Sequence, residues 1–228
     1  MGNGSDFTVQ ARQTEKTWDV EGVPVLQGHV SLPELSGINK RCQRIVSFYR
    51  LQERAFLKYC QRELRPWAEI QYRAALQNSV PLPCYQASLE FRETCRAGRL
   101  WSLYTELKEN AAPGATFRRR WGDTWDIVTG YPVALSDFFP PRTRWKQILL
   151  RVAADEIERQ EKRGLAQYHP DWRRRVRRYF NPANYYVTGE GVTFYYPMYA
   201  LAPAAEGVPC FLYPWDSDPP LKKFHLSG

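Results

Sequence analysis

Five arginines among six residues, Arg173, Arg174, Arg175, Arg177 and Arg178, are flanked by Trp172, Tyr179 and Phe180 in the stretch DWRRRVRRYF. Guanidinium groups interleaved with aromatic rings are the chemistry that grips a polyanion: charge for the backbone, ring faces for stacking. The competing reading is a short solvated helix. Five arginines at helical spacing spread around most of the circumference, with Trp172, Val176 and Tyr179 turned to the core. A second basic run, Arg118-Arg119-Arg120, falls on a strand-like segment, where successive side chains alternate faces and make no single patch. The chain carries a net charge of +8 and an isoelectric point near 9.3. Such a balance favours anionic partners or serves solubility alone.

Residues for covalent or metal chemistry are sparse. His29, His169 and His225 are isolated in sequence, and His29, within LQGHVSL, fits a structural role in a strand. Cys42, Cys60, Cys84, Cys95 and Cys210 include no CxxC pair and no neighbouring histidine, so no metal-ligand spacing is present. Cys42 and Cys60 fall on the apolar stripe of an expected helix, which fits buried, reduced cysteines. There is no GxSxG, phosphate-binding loop or GxGxxG. The expectation is therefore no catalytic residue, no metal and no cofactor.

The elements that would position these residues read as α+β: an antiparallel sheet packed against a long N-terminal helix and a second long helix. Residues 1–17 are polar and aperiodic and read as a loose tail; 18–228 read as a single domain. That domain divides into an N-terminal subregion (18–110), a second subregion (111–215) and a tail (216–228). Ser36 is the expected helix cap, followed by a stripe of Ile38, Cys42, Ile45, Tyr49, Phe56, Cys60, Trp67 and Ala74, with Pro66 expected to kink or restart the helix. Strand-like runs follow at 88–94, 100–107 and 116–128. Residues 143–164 give the second helix, ending on Gly164 where a C′ glycine belongs. The last elements are a hairpin turning at Gly189-Glu190-Gly191, with Val192, Phe194 and Tyr196 inward and Thr193 and Tyr195 outward, and a closing strand near 208–213. No run approaches the roughly 20 apolar residues of a membrane span. The expected compartment is the cytoplasm, or outside it should an anchor precede residue 1 in the native gene.

The stretch YYVTGEGVTFYYPMYALAPAAEGVP (185–209) resembles the closing motif of the RsiV/PdaC-type C-terminal domain family, domain of unknown function 3298. Gly191, Tyr199, Leu201, Ala202, Pro203, Ala205, Gly207, Val208 and Pro209 occupy the motif's places, while Ala200 and Ala204 depart from it. WDIVTGYPVALSDFF (125–139) is similar to the family's strand, Thr-Gly turn and following segment. The resemblance implies an α+β fold of bacterial origin and a non-catalytic binding or sensory module, in which Gly191, Tyr199, Leu201, Ala202, Pro203, Gly207 and Pro209 serve architecture. Its best-known member, the anti-sigma factor RsiV, implies two alternatives, binding of lysozyme or of a cell-wall polymer outside the cytoplasm. A cationic receptor would repel a cationic lysozyme. Polyanion or nucleic-acid binding through Arg173–Arg178 is the alternative that charge alone supports.

Overall fold

In the computed structural model, which describes residues 7–81, 84–112 and 115–222, the chain opens on a long antiparallel hairpin. Strand β1 (Thr8–Val20) pairs with β2 (Val23–Ser36) along its whole length, from Thr8↔Ser36 to Val20↔Val23. Glu21 and Gly22, at φ +53° and +81°, form the two-residue turn that matches strand twist. Residues 8–17, expected as a loose tail, are thus strand. They carry no hydrophobic period because most are exposed on both faces of an edge strand, and the backbone ladder orders them instead.

The described chain forms two compact units, one of Asp6–Phe91 and Glu106–Arg118, the other built mainly of Arg92–Thr105 and Arg119–Gly228. In the first unit, β2 leads into a helical crossover. Its cap is Asn39 rather than Ser36: the Asn39 side-chain oxygen accepts from the N–H groups of Arg41 (2.8 Å) and Cys42 (3.1 Å). Helix α1 (Gln43–Tyr59) buries Ile45, Tyr49 and Phe56 as expected, and α2 (Arg65–Gln77) buries Ala68, Tyr72 and Ala75. Between them, Cys60–Leu64 is one wide π turn, closed by the Arg65 N–H on the Cys60 carbonyl. It precedes Pro66, whose missing N–H an unbroken α ladder would leave as a gap. The extra residue advances the helix phase, so the expected stripe slips. Trp67 is 41% exposed, and Leu64 and Ala68 take the buried side.

The crossover returns the chain to β3 (Tyr85–Ala97), parallel to β2 from Leu26↔Tyr85 to Ser31↔Glu90. A parallel pair needs such a long connection. It is a parallel element in a fold whose β1/β2, β5/β6, β7/β8 and β8/β9 pairings are antiparallel. Strands β4 (Leu100–Ala112) and β5 (Ala115–Asp126) complete this part. Buried Glu109 accepts from the phenols of Tyr59 (2.8 Å) and Tyr85 (3.2 Å). Burial, then Glu109, hold the Tyr59 and Tyr85 phenols above the ordinary range, and burial pushes the Cys60 thiol up to about 12.

In the second unit, the ends of β3, β4 and β5 are followed by β6 (Tyr131–Pro132), α3 (Trp145–Lys162) and α4 (Trp172–Arg178). A three-stranded antiparallel sheet of β7 (Tyr185–Val187), β8 (Gly191–Tyr195) and β9 (Cys210–Pro214) closes it. Helix α3 ends as expected. Gly164 has φ +64°, its N–H bonds to the Glu161 carbonyl, and the Leu165 N–H bonds to Gln160, a complete Schellman closure. Leu149, Ala153 and Ile157 of α3 pack with Phe138, Phe139, Phe194, Tyr196 and Phe211.

Thr193 and Tyr195 were expected to face outward, and both are buried. The second face of this sheet has its own partner, the ends of β4 and β5. The Val187 N–H donates to Ser102 Oγ (2.8 Å), the Gly122 N–H to the Tyr195 hydroxyl (2.7 Å), and the Tyr104 and Tyr186 rings meet at 5.1 Å. The layers touch through backbone. A Cβ on Gly122 would lie 2.6 Å from the Tyr185 carbonyl carbon.

Two outcomes test this packing. Gly122→Ala should destabilise by about 2–3 kcal/mol through forced overpacking, whereas Gly189→Ala, which meets nothing within 4 Å, should change stability by less than about 1 kcal/mol. Denaturant unfolding of the two variants decides it, and equal midpoints would disprove the close approach.

Asp126 supplies the second test. Its carboxylate accepts from the Arg99 guanidinium (2.5 Å) and from the N–H groups of Val128 (2.8 Å) and Thr129 (3.2 Å). Burial alone would raise its pKa, but these donors outweigh it and hold the carboxyl below the ordinary aspartate range. A lowered folded value stabilises above the unfolded pKa of about 4 and is lost as pH falls through the folded value. Asp126→Asn should therefore cost roughly 1–3 kcal/mol at neutral pH and shrink the gap to wild type as the pH drops below 4. An undiminished gap in acid would refute the assignment.

Candidate functional site

Helix α3 carries a second stripe beside its core stripe. Arg144 (just before the first turn), Ile148, Arg151 and Asp155 recur at steps of four, three and four, so they share one face. In α4, Trp172 and Val176 are buried, and Arg173 and Arg177, one residue further on each, rise beside them. These two faces, together with Leu212, Tyr213 and Pro214 of β9 and the Ser217-Asp218 turn, line an open groove of about 1080 Å³. Its floor is aliphatic: Ile148, Val152, Val176 and Leu212.

The electrostatics are lopsided. Four guanidinium groups, Arg144, Arg151, Arg173 and Arg177, face two carboxylates, Asp155 and Asp218. Arg173 is already engaged, bonding Glu158 at 2.9 Å and lying over the Trp172 ring at 4.4 Å. Arg144, Arg151 and Arg177 have no ion pair with a described residue. Burial, then the Asp218 charge, raise the Tyr213 phenol, which donates to the Pro219 carbonyl at 2.8 Å. Among the described residues, the lining holds no histidine, cysteine or lysine.

The basic segment 173–178 does not form one patch. Arg173 and Arg177 face the groove. Arg174 and Arg175 turn to Asp171 (3.6 and 2.5 Å), Arg175 also donating to the Ala200 carbonyl, and Arg178 lies over Tyr179 at 5.5 Å. The Arg175 hydrogen bond holds the Asp171 carboxyl below its usual range. Arg119 and Arg120 sit over Trp121 and Tyr104, and neither lines the groove. Arg144 and Arg151 escaped the sequence reading. Their seven-residue spacing beside an apolar stripe was a usable signal, but nothing local shows that α4 brings its own arginines opposite them.

Among the motif residues, Gly191, Leu201, Ala202 and Pro209 are buried. Gly191 packs so tightly on β9 that a Cβ would lie 2.8 Å from Pro214 Cα. Leu201 and Ala202 are buried, the Leu201 carbonyl accepts from the His169 N–H (2.9 Å), and the Pro209 carbonyl accepts from Tyr196 (2.9 Å). Gly207, at φ +68°, ends a short 3-10 turn at Ala204–Glu206. Pro203 is exposed, and Tyr199 is half exposed with φ +68°.

Among the described residues no group of three or more His, Cys, Asp or Glu is placed to hold a metal ion, and no disulfide forms. His29 lies 3.5 Å from Glu15 in the first unit, His169 belongs to the second, and His225 is outside the described residues. Among the described residues, no helix is long and apolar enough to cross a membrane.

No curated protein is similar enough to match this chain. Its fold is similar to the crystal structure of a DUF3298 family member from Bacteroides fragilis, at 16% identity and TM-score 0.64, covering 97% of this chain and 96% of that one. It is also similar to a DUF3298 family protein from Pseudomonas aeruginosa, at 16% identity and TM-score 0.60, covering 99% of this chain and all of that one. Residues 136–216, which hold the groove apart from Ser217 and Asp218, match the family described as "Protein of unknown function (DUF3298)".

Proposed function

We propose that this chain is a non-catalytic binding or sensory module of bacterial origin, and that the groove between α3, α4 and β9 receives anionic groups of its ligand. One observation carries the reading: four arginines from two helices converge on one open groove, three of them with no ion pair to a described residue. Charges held open to solvent gain little from one another and attract a partner of opposite sign. Kinship with RsiV/PdaC-type domains is part of the same proposal, since the closing motif lies within the matched segment. A cationic groove suits an anionic ligand better than it suits lysozyme.

The test uses three fluorescent anionic probes: poly-glutamate, heparin and a mixed-sequence single-stranded oligonucleotide. At least one should bind at low salt and weaken steeply as salt rises. Arg151→Glu combined with Arg177→Glu should weaken that binding about tenfold or more, with thermal stability unchanged. Silence of all three probes at low salt, or indifference to the double reversal, would overturn the assignment of the groove.

A further inference from the structure

Strand β9 is the edge of its sheet, paired to β8 on one side. The ladder between them tells which backbone groups are spent. The Tyr196 N–H bonds the Pro209 carbonyl and the Trp215 N–H bonds the Glu190 carbonyl, both in the same register as Phe211↔Phe194 and Tyr213↔Val192. Antiparallel pairing alternates, so residues 209, 211, 213 and 215 point their N–H and C=O at β8, and Cys210, Leu212 and Pro214 point theirs away. Pro214 has no N–H, and its carbonyl accepts from Ser217. Leu212 therefore presents both a donor and an acceptor outward. Leu212 and Tyr213 point to opposite faces of the strand, yet both line the groove, so the groove runs along the strand's edge.

We infer that the occupant of this groove is an extended acidic peptide of a partner protein, added as a fourth strand on the outer edge of β9. The inference rests on the binding reading above and makes its ligand specific. Strand addition supplies main-chain bonds at Leu212, and alternate side chains then meet different walls. One set faces the arginines of α3 and α4. The other faces the aliphatic floor of Ile148, Val152 and Val176. Asp155 and Asp218 reduce the surplus charge, so alternating acidic and apolar residues fit better than an unbroken run of acids.

Nucleic acid fits less well. Single-strand binders offer ring faces on which bases stack. The two aromatic residues of this lining, Trp172 and Tyr213, are only 3% and 2% exposed.

The experiment compares a labelled peptide of alternating glutamate and valine, the same peptide N-methylated on alternate amides in each of the two registers, and the oligonucleotide and heparin probes. Titrations use the whole chain and its Arg151→Glu/Arg177→Glu variant, with amide exchange of Leu212 as an independent readout. The unmodified peptide should bind more tightly than the oligonucleotide and heparin at the same salt. Methylation in one register should weaken it about tenfold or more, the double reversal should do likewise, and the Leu212 amide should gain protection. Equal binding by both methylated peptides and the parent, or no added protection at Leu212, would defeat strand addition; continued sensitivity to the double reversal would then leave the binding reading intact. Tighter binding of the oligonucleotide or heparin would defeat the peptide assignment. No binding by any anionic probe would end both readings.

Discussion

The second unit depends on backbone meeting backbone where side chains would be expected. Its small sheet is buried on both faces, with the α3 core on one side and the ends of β4 and β5 on the other. A sheet spaced by ordinary side chains on both sides would hold its neighbours about 10 Å away. Here Gly122 lets β5 reach the carbonyl of Tyr185, and within the sheet itself Gly191 lets β8 lie close against its neighbour β9 at Tyr213 and Pro214. Each glycine costs conformational entropy on folding. The return is a layer in which Phe194, Tyr196 and Phe211 interlock at ring separations of 5.6–6.4 Å.

Such a layer must also satisfy its polar tips. Tyr185 donates to Val133, Tyr195 to Arg120 and Tyr196 to Val176, all to main-chain carbonyls. Burial raises these phenols above the ordinary tyrosine range. The aromatic richness of the closing segment is thereby spent on packing and on fixed hydrogen bonds.

How much of this could be read from the chain divides along a physical line. Elements set by local signals were legible: α3 by the Gly164 at its end, and the β7–β8 hairpin by its glycines. Features set by distant partners were not. Thr8–Thr17 has no period because the ladder to β2 orders it. Trp67 lost its place in the core to a single extra residue in the turn before Pro66, which no count of apolar spacing registers. Thr193 and Tyr195 looked outward because alternation assumes one solvated face. The groove was half visible: its α4 arginines stand in an obvious cluster, but Arg144 and Arg151 gain meaning only from the helix packed opposite them.

The two legible signals, the closing motif and the arginine cluster, turn out to be mechanically linked. The motif's return does not line the groove, yet it holds one of its walls. The Leu201 carbonyl accepts from the His169 N–H just before α4, the Ala200 carbonyl accepts from Arg175 of α4, and the Tyr196 hydroxyl donates to the Val176 carbonyl of the same helix. Three residues of the closing stretch, Tyr196, Ala200 and Leu201, thus hold α4 in place, and with it Arg173 and Arg177 of the groove. In this arrangement the closing stretch and the groove arginines are separate sets of residues joined by one short helix, and the geometry of the groove is inherited from the packing beneath it.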